Sequence, residues 1–471
     1  MRFALLMSTT LFVGFLRPAA AEEHDQPEVI ELVLAPAANK LGDQPHLIYL
    51  PSEQSPGNAA LLYLKAMVLL GERTGFSDHE LTIVEWLDAA PRNLPTTEVR
   101  KVLADYEAAL HQCRLAARRS DCEWELALSE EQSVLRVLLP EAQKCRSLAR
   151  LIALEARLAI VERRFDAAIE SLRVGYALAR HIARQPFLVS GLVGLSIAGM
   201  MTSQIELLVE IPETPNLYWA LTELPRPIVD MTAAIELESR LPFFELPQLR
   251  NLRDTQRSPQ QWDAQWQAYR LQVAELTKLV QDVNSHDVPT EQAPIEPAAA
   301  FAREKLRGLG YQAEAVATMP VAEVLLRYAA ARCEVQGDAM SRAWHLPLPQ
   351  ALHEVTRVDQ QLQADDGQPL ALRQIDVGAL LLPAIARVAQ NVGRAEQRAA
   401  ALRAIEVLRD YAATHEGKLP ATLDDIGNAL PLPADPATGK PLAYTRRDGS
   451  ATIMLPALGK QGREYRLSVQ R

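Results

Sequence analysis

Four cysteines are the residues whose type and spacing most directly suggest chemistry. They stand at Cys113, Cys122, Cys145 and Cys333. In an oxidising compartment such thiols form disulfides, and four cysteines allow three pairings. Cys113 ends a helical pattern and Cys122 follows the polar turn at 118–121, so a chain reversal could bring both within bonding distance. We predict a Cys113–Cys122 disulfide, with four buried free thiols as the alternative and the pairing of Cys145 and Cys333 open.

The other groups that could support catalysis stand apart in the sequence. His345 and His353 are eight residues apart, but prolines interrupt the helix that would align them. Glu123 and Glu125 flank a tryptophan and Asp424–Asp425 are adjacent, yet acid/base catalysis needs two carboxylates in a shared, partly dry cleft. The cysteine spacing matches no zinc pattern, and no P-loop, dinucleotide or nucleophile-elbow motif occurs. We predict no catalytic residue, metal site or cofactor.

Two aromatic pairs could line a groove for a ligand. They are Tyr218–Trp219 and Trp262 with Trp266, and the second pair continues at helical spacing through Tyr269 and Val273. Aromatic side chains at this spacing usually pack in a core. We therefore predict core positions for both pairs.

The first 21 residues have the pattern of a signal peptide. An apolar run from Ala4 to Leu16 is followed by Arg17-Pro18 and by three alanines, so we expect cleavage after Ala21. A retained anchor is the alternative, but a bilayer core needs about 20 apolar residues and Arg17 interrupts this run earlier. The pattern predicts export to the periplasm or the extracellular space.

The charge of the exported chain argues against nucleic acid as a partner. Removing residues 1–21 takes Arg2 and Arg17 from the 49 basic residues and leaves all 59 acidic ones, so the formal net charge changes from −10 to −12. Binding to phosphates depends on clustered Lys and Arg that displace counterions. The acidic balance itself favours solubility more than any one partner, and we expect a protein partner.

Hydrophobic periodicity predicts a mainly α fold, an irregular bundle or solenoid of antiparallel helix hairpins. Residues 22–55 form an extended N-terminal arm, and residues 56–382 form the helical body, with a polar linker at 283–297. The segment 141–184 is a helix hairpin that resembles a tetratricopeptide unit, with Phe165 at its turn. Phe187–Met201 is the most apolar interior segment, and its length favours a core helix over a membrane span.

The sequence of residues 383–471 predicts a unit that differs in kind from the helical body. A long helix ends at Gly417, and Asp448-Gly449 has the form of a two-residue hairpin between alternating apolar positions. A third strand carries Tyr465, Leu467 and Val469. The apolar face of three such strands must pack against another element, so we expect an antiparallel sheet that packs on the long helix.

The segments LRAIEVLRDYAATHEGKLPATLDDI and DPATGKPLAYTRRDG are similar to the tail of type II secretion pseudopilins. Together with PGNAALLYLKA, CRLAARRSDCEW and PNLYWALTELPRP, they resemble an uncharacterised family of exported bacterial proteins. The chain lacks the N-terminal prepilin motif, and Asp435 and Asp448 alone do not carry over the calcium site of pseudopilin tails.

These features predict a periplasmic or envelope-associated interaction scaffold that presents helix hairpins to a protein partner. The first alternative is an envelope hydrolase whose site is assembled from distant residues. The second is an accessory of a type II secretion-like machine, which only the tail suggests.

Overall fold

Helices make up most of the chain, as the sequence predicts, and a small sheet follows near the C-terminus. The computed structural model describes residues 27–40, 42, 44–71, 76–125, 139–284, 295–363, 367–381, 384–427 and 430–470. The predicted signal peptide and most of the predicted linker at 283–297 lie outside this part. In chain order the helices are α1 (Ala59–Gly71), α2 (Phe76–Asp88), α3 (Thr96–Asp105), α4 (Glu107–Ala117), α5 (Pro140–Val161), α6 (Phe165–Ile182), α7 (Leu188–Leu208), α8 (Tyr218–Thr222), α9 (Thr232–Glu245), α10 (Pro259–Asn284), α11 (Ile295–Gly308), α12 (Ala313–Thr318), α13 (Val321–Trp344), α14 (Leu348–Gln363), α15 (Leu370–Arg373), α16 (Val377–Leu381) and α17 (Ala384–Thr414).

Packing divides the chain into two compact units. The first unit contains the described residues of 27–125, 139–233 and 390–470, and the second contains those of 234–389. The sequence places one helical body at 56–382 and a separate tail at 383–471. The structure differs because the tail packs with the N-terminal half of the chain, through contacts that hydrophobic periodicity does not encode.

The predicted hairpin at 141–184 corresponds to α5 and α6 of the first unit. The chain reverses at Arg163, whose φ is +58°, and the Arg164 N–H donates to the Ala159 carbonyl. Gly175 lets α7 approach α6 closely, since a Cβ there would lie 2.0 Å from the Met201 sulfur. By length and composition α7 could cross a membrane, but 67% of its most apolar stretch is buried in the protein. Burial of this extent is typical of a core helix.

The sheet of the first unit has four strands in the order β1–β6–β5–β4. They are β1 (Glu28–Leu34), β4 (Ala443–Arg447), β5 (Ser450–Leu458) and β6 (Gln461–Val469); β2 (Ser55–Asn58) and β3 (Arg119–Asp121) pair separately. The predicted hairpin is confirmed: Asp448 and Gly449 connect β4 and β5 with φ values of +49° and +83°. Strand β1 lies within the predicted arm and pairs in parallel with β6.

Helices α17 and α7 support this sheet. The Arg394 and Gln397 side chains of α17 donate to the carbonyls of Leu458 and Pro456, at 2.7 and 3.2 Å. The Tyr465 hydroxyl of β6 donates to Glu206 of α7 at 2.7 Å. The predicted packing of sheet on helix is therefore present, with α7 as a second support.

Aromatic and small side chains form the core of the second unit. Trp262, Trp266 and Tyr269 of α10 pack in one cluster with residues of α11 and α13. The Arg327 guanidinium donates to the carbonyls of Leu252, Arg253 and Thr255 and so holds the segment that precedes α10. The predicted core placement of Trp262 and Trp266 is confirmed, since they are 1% and 5% exposed.

Candidate functional site

Helix α1 presents the clearest candidate interaction surface of the first unit. Its sequence, AALLYLKAMVLLG, has one charged residue and is apolar on all sides. A helix of that kind is normally buried all round. Leu61, Leu64 and Val68 are nevertheless 63%, 40% and 58% exposed. Their spacing of three and four residues aligns them along one face, and we call these three residues the apolar stripe.

The start of α1 is fixed by Asn58. Its side-chain oxygen accepts the Ala60 N–H at 3.0 Å, which satisfies one free donor of the first turn. The same oxygen accepts the Glu123 N–H at 2.9 Å, and the Asn58 amide donates to the Glu123 carbonyl at 2.8 Å. Helix α1 is thus tied to the segment that follows β3.

The buried face of α1 holds it in place through Tyr63. The Tyr63 ring stacks on Trp124 with 6.2 Å between ring centres, and its hydroxyl lies 3.0 Å from Nδ1 of His181. The Trp124 indole N–H donates to the His181 carbonyl at 2.8 Å. The segment after β3 and helix α6 therefore both hold α1, and the apolar stripe is presented on a preorganised helix, which reduces the entropic cost of binding.

His181 gives this buried cluster a pH dependence. Burial, aided by the nearby charges of Arg180 and Arg184, lowers the pKa of His181 from 6.5 to about 3. The unfolded chain takes up a proton below pH 6.5 and the folded chain does not, so stability falls as the pH drops from 6.5 towards 3.

We expect His181→Asn to remove this pH dependence from the first unit. In urea unfolding between pH 7 and pH 4, the wild type should lose up to about 1.4 kcal/mol per pH unit more than the variant. His353→Asn is the matched control because the His353 side chain is 75% exposed. Equal slopes for the wild type and His181→Asn would contradict the assignment.

The cysteines are buried free thiols in the structure. Cys113 on α4, Cys122 after β3 and Cys145 on α5 belong to the first unit, and Cys333 lies on α13. The predicted Cys113–Cys122 disulfide is not formed here, and its formation in an oxidising compartment stays a prediction. Burial raises the pKa of the Cys113 and Cys122 thiols to about 12, which makes them poor nucleophiles at neutral pH.

The other residues considered for chemistry are not brought together. His345 and His353 are 57% and 75% exposed and have different carboxylate neighbours, Glu236 and Glu354. Asp425 caps its own short helix by accepting the Thr422 N–H at 2.7 Å. Asp435 is likewise used locally, since it accepts the Ala437 N–H at 3.0 Å. The described residues contain no group of three His, Cys, Asp or Glu side chains that could hold a metal ion.

One histidine–carboxylate pair has part of the geometry that a hydrolase site needs. Nδ1 of His46 lies 2.6 Å from a Glu223 oxygen, and both side chains are 35% exposed. Within the described contacts no hydroxyl bonds the other ring nitrogen, so the pair lacks a nucleophile. The hydrolase alternative stays a hypothesis.

Sequence reasoning missed the apolar stripe although a signal for it was present. Ala59, Leu62, Tyr63, Ala66 and Leu70 recur at helical spacing, and all of them except Leu62 are buried. The other leucines and the valine of α1 lie outside this pattern. An apolar residue on both faces of a helix should have indicated a second contact surface.

Comparison with protein-family models, with characterised proteins and with solved structures gives no match to this chain. The resemblances to a tetratricopeptide hairpin, to pseudopilin tails and to a family of exported proteins therefore stay predictions.

Proposed function

We propose that this protein is an exported interaction scaffold of the periplasm or cell envelope, which binds an amphipathic helix of a partner protein on the apolar stripe of α1. The observation that carries the proposal is the exposure of Leu61, Leu64 and Val68 on a helix with one charge. Exposed apolar patches on soluble proteins commonly mark binding sites for other proteins.

The shape of the stripe favours a helix as its occupant. It runs for two turns, about 10 Å along α1 at 1.5 Å per residue. Partner helices dock on such surfaces through side chains spaced three and four residues apart. Lys65 lies beside the stripe and is exposed, so an acidic residue at the edge of the partner helix would complement it.

Site-specific photocrosslinking in intact cells tests this function. A photoreactive amino acid is placed singly at Leu64 or Val68, and at the control positions Glu98 and Lys101, which are exposed on the polar face of α3. We expect the same partner protein, identified by mass spectrometry, from both α1 positions and from neither control. Equal capture at all four positions, or crosslinks only within the chain, would contradict the proposal.

A further inference from the structure

A cavity of about 180 Å³ lies in the first unit between α7, α17 and the sheet. Its lining combines apolar side chains with guanidinium groups. The residues that matter here are Ala198, Ile228, Leu455, Arg394, Arg398 and Arg463. We call it the arginine cavity.

Two of the three arginines already have a carboxylate partner. Arg463 donates to Glu28 of β1 at 2.6 Å. Nε of Arg398 donates to Glu206 at 2.8 Å, and the Tyr465 hydroxyl donates to the same carboxylate oxygen at 2.7 Å. Each of these pairs is close to neutral, so neither gives the cavity a net charge.

Arg394 is different because its partners are neutral. Its Nη1 donates to the Leu458 carbonyl at 2.7 Å, and its Nη2 donates to the Asn391 side-chain oxygen. No carboxylate pairs with it in the described contacts. A guanidinium has five N–H donors, so Arg394 keeps donors to spare and leaves the arginine cavity with one net positive charge.

This charge is held at an energetic cost. Burial lowers the pKa of Arg394, and the positive charge of Arg463 lowers it further. A guanidinium without a counterion in a partly dry site is destabilising, and an anion placed against it would offset that cost.

We propose that the arginine cavity binds a small organic carboxylate, with the carboxylate against Arg394 and a short apolar chain against Ile228 and Leu455. A carboxylate matches the fork of a guanidinium with two parallel hydrogen bonds. Its single negative charge balances the one uncompensated positive charge, which a phosphate dianion would exceed. The cavity volume of about 180 Å³ leaves room for a short chain.

Calorimetric titration of the purified exported chain with sodium hexanoate tests this site. Hexanoate should bind to one site per chain with a Kd on the order of 1 mM or lower. 1-Hexanol, which lacks the charge, and hexyl phosphate, which carries a second one, should each bind at least tenfold more weakly. Absence of hexanoate binding at about 10 mM, or tighter binding of either other probe, would overturn the proposal.

Three variants assign the binding to the cavity. Arg394→Gln keeps a donor for the Leu458 carbonyl and removes the charge, and we expect at least tenfold weaker hexanoate binding. Ala395→Leu fills the cavity without changing its charge and should also weaken binding tenfold. Arg446→Gln, on the exposed strand β4, should leave the affinity unchanged. Wild-type affinity in a folded Arg394→Gln or Ala395→Leu protein would place hexanoate elsewhere and overturn the site.

Discussion

Arg409→Met is expected to lower the free energy of unfolding of the first unit by about 3–5 kcal/mol, the cost of leaving a buried carboxylate without its partner. Arg409 and Glu406 of α17 are both 0% exposed, and Nη1 of Arg409 lies 2.9 Å from each Glu406 oxygen. Arg409 also donates to the Ala35 carbonyl at 2.7 Å and to the Thr214 hydroxyl at 2.6 Å. Removing the side chain therefore also removes one hydrogen bond to the chain after β1.

Urea unfolding at pH 7 measures this effect, and a double variant separates its causes. Replacing Glu406 and Arg409 together by leucine and methionine removes the buried charge and should restore much of the loss, because apolar replacements of buried ion pairs are often neutral. Arg446→Met on exposed β4 is the control. A loss below about 1 kcal/mol for Arg409→Met would show that the pair does not hold α17 in place.

Glu238→Gln is expected to stabilise the second unit, in a way that depends on pH. Burial raises the pKa of Glu238 on α9 from 4.5 to about 8, and no partner for its carboxyl group is found in the described contacts. The folded chain keeps the proton between pH 4.5 and pH 8 while the unfolded chain releases it, so the stability of the wild type falls as the pH rises through this range.

Glutamine removes that penalty because it carries no charge at any pH. At pH 9 the free energy of unfolding of the variant should be about 2–4 kcal/mol higher than that of the wild type. At pH 4 the free energies of unfolding of the two proteins should be nearly equal. Glu236→Gln, on the same helix but with a side chain that is 55% exposed, should show no such pH-dependent gain. A Glu238→Gln variant that is no more stable at pH 9 would contradict the assignment.

The parts of the fold that the sequence predicts correctly depend on local interactions. Asp448-Gly449 fixes its hairpin because both residues adopt a positive φ. Gly417 terminates α17 because its φ of +72° suits glycine, and its N–H returns to the Ala412 carbonyl at 2.9 Å. The helix hairpin at 141–184 is likewise predicted from hydrophobic periodicity within one segment of the chain. Such signals lie within a few residues of each other.

Strand β1 shows what local reasoning misses. Ile30, Leu32 and Leu34 alternate with more exposed residues, as strands do. The partner strand β6 begins more than 400 residues later, with Glu28 opposite Arg463. Nothing near residue 28 indicates a parallel partner at that distance, and the proline-rich surroundings favoured an unpaired arm.

The candidate sites required the same long-range information. Leu61, Leu64 and Val68 are recognisable as apolar, but only packing decides which face of α1 stays exposed. Arg394 and Arg398 are one helical turn apart, and their spacing alone places both on one face of α17. The third guanidinium, from Arg463, reaches the cavity only because β6 packs on that helix.

The size of the native complex tests whether the apolar stripe of α1 binds a partner protein. Native electrophoresis of envelope extracts would compare the wild type with a variant carrying Leu61→Ser, Leu64→Ser and Val68→Ser. These side chains are exposed, so the variant should fold with an unchanged circular dichroism spectrum. We expect the wild type to migrate in a complex larger than the purified chain and the folded variant to migrate with the purified chain. Identical migration of the two proteins in the extract would contradict binding at the apolar stripe.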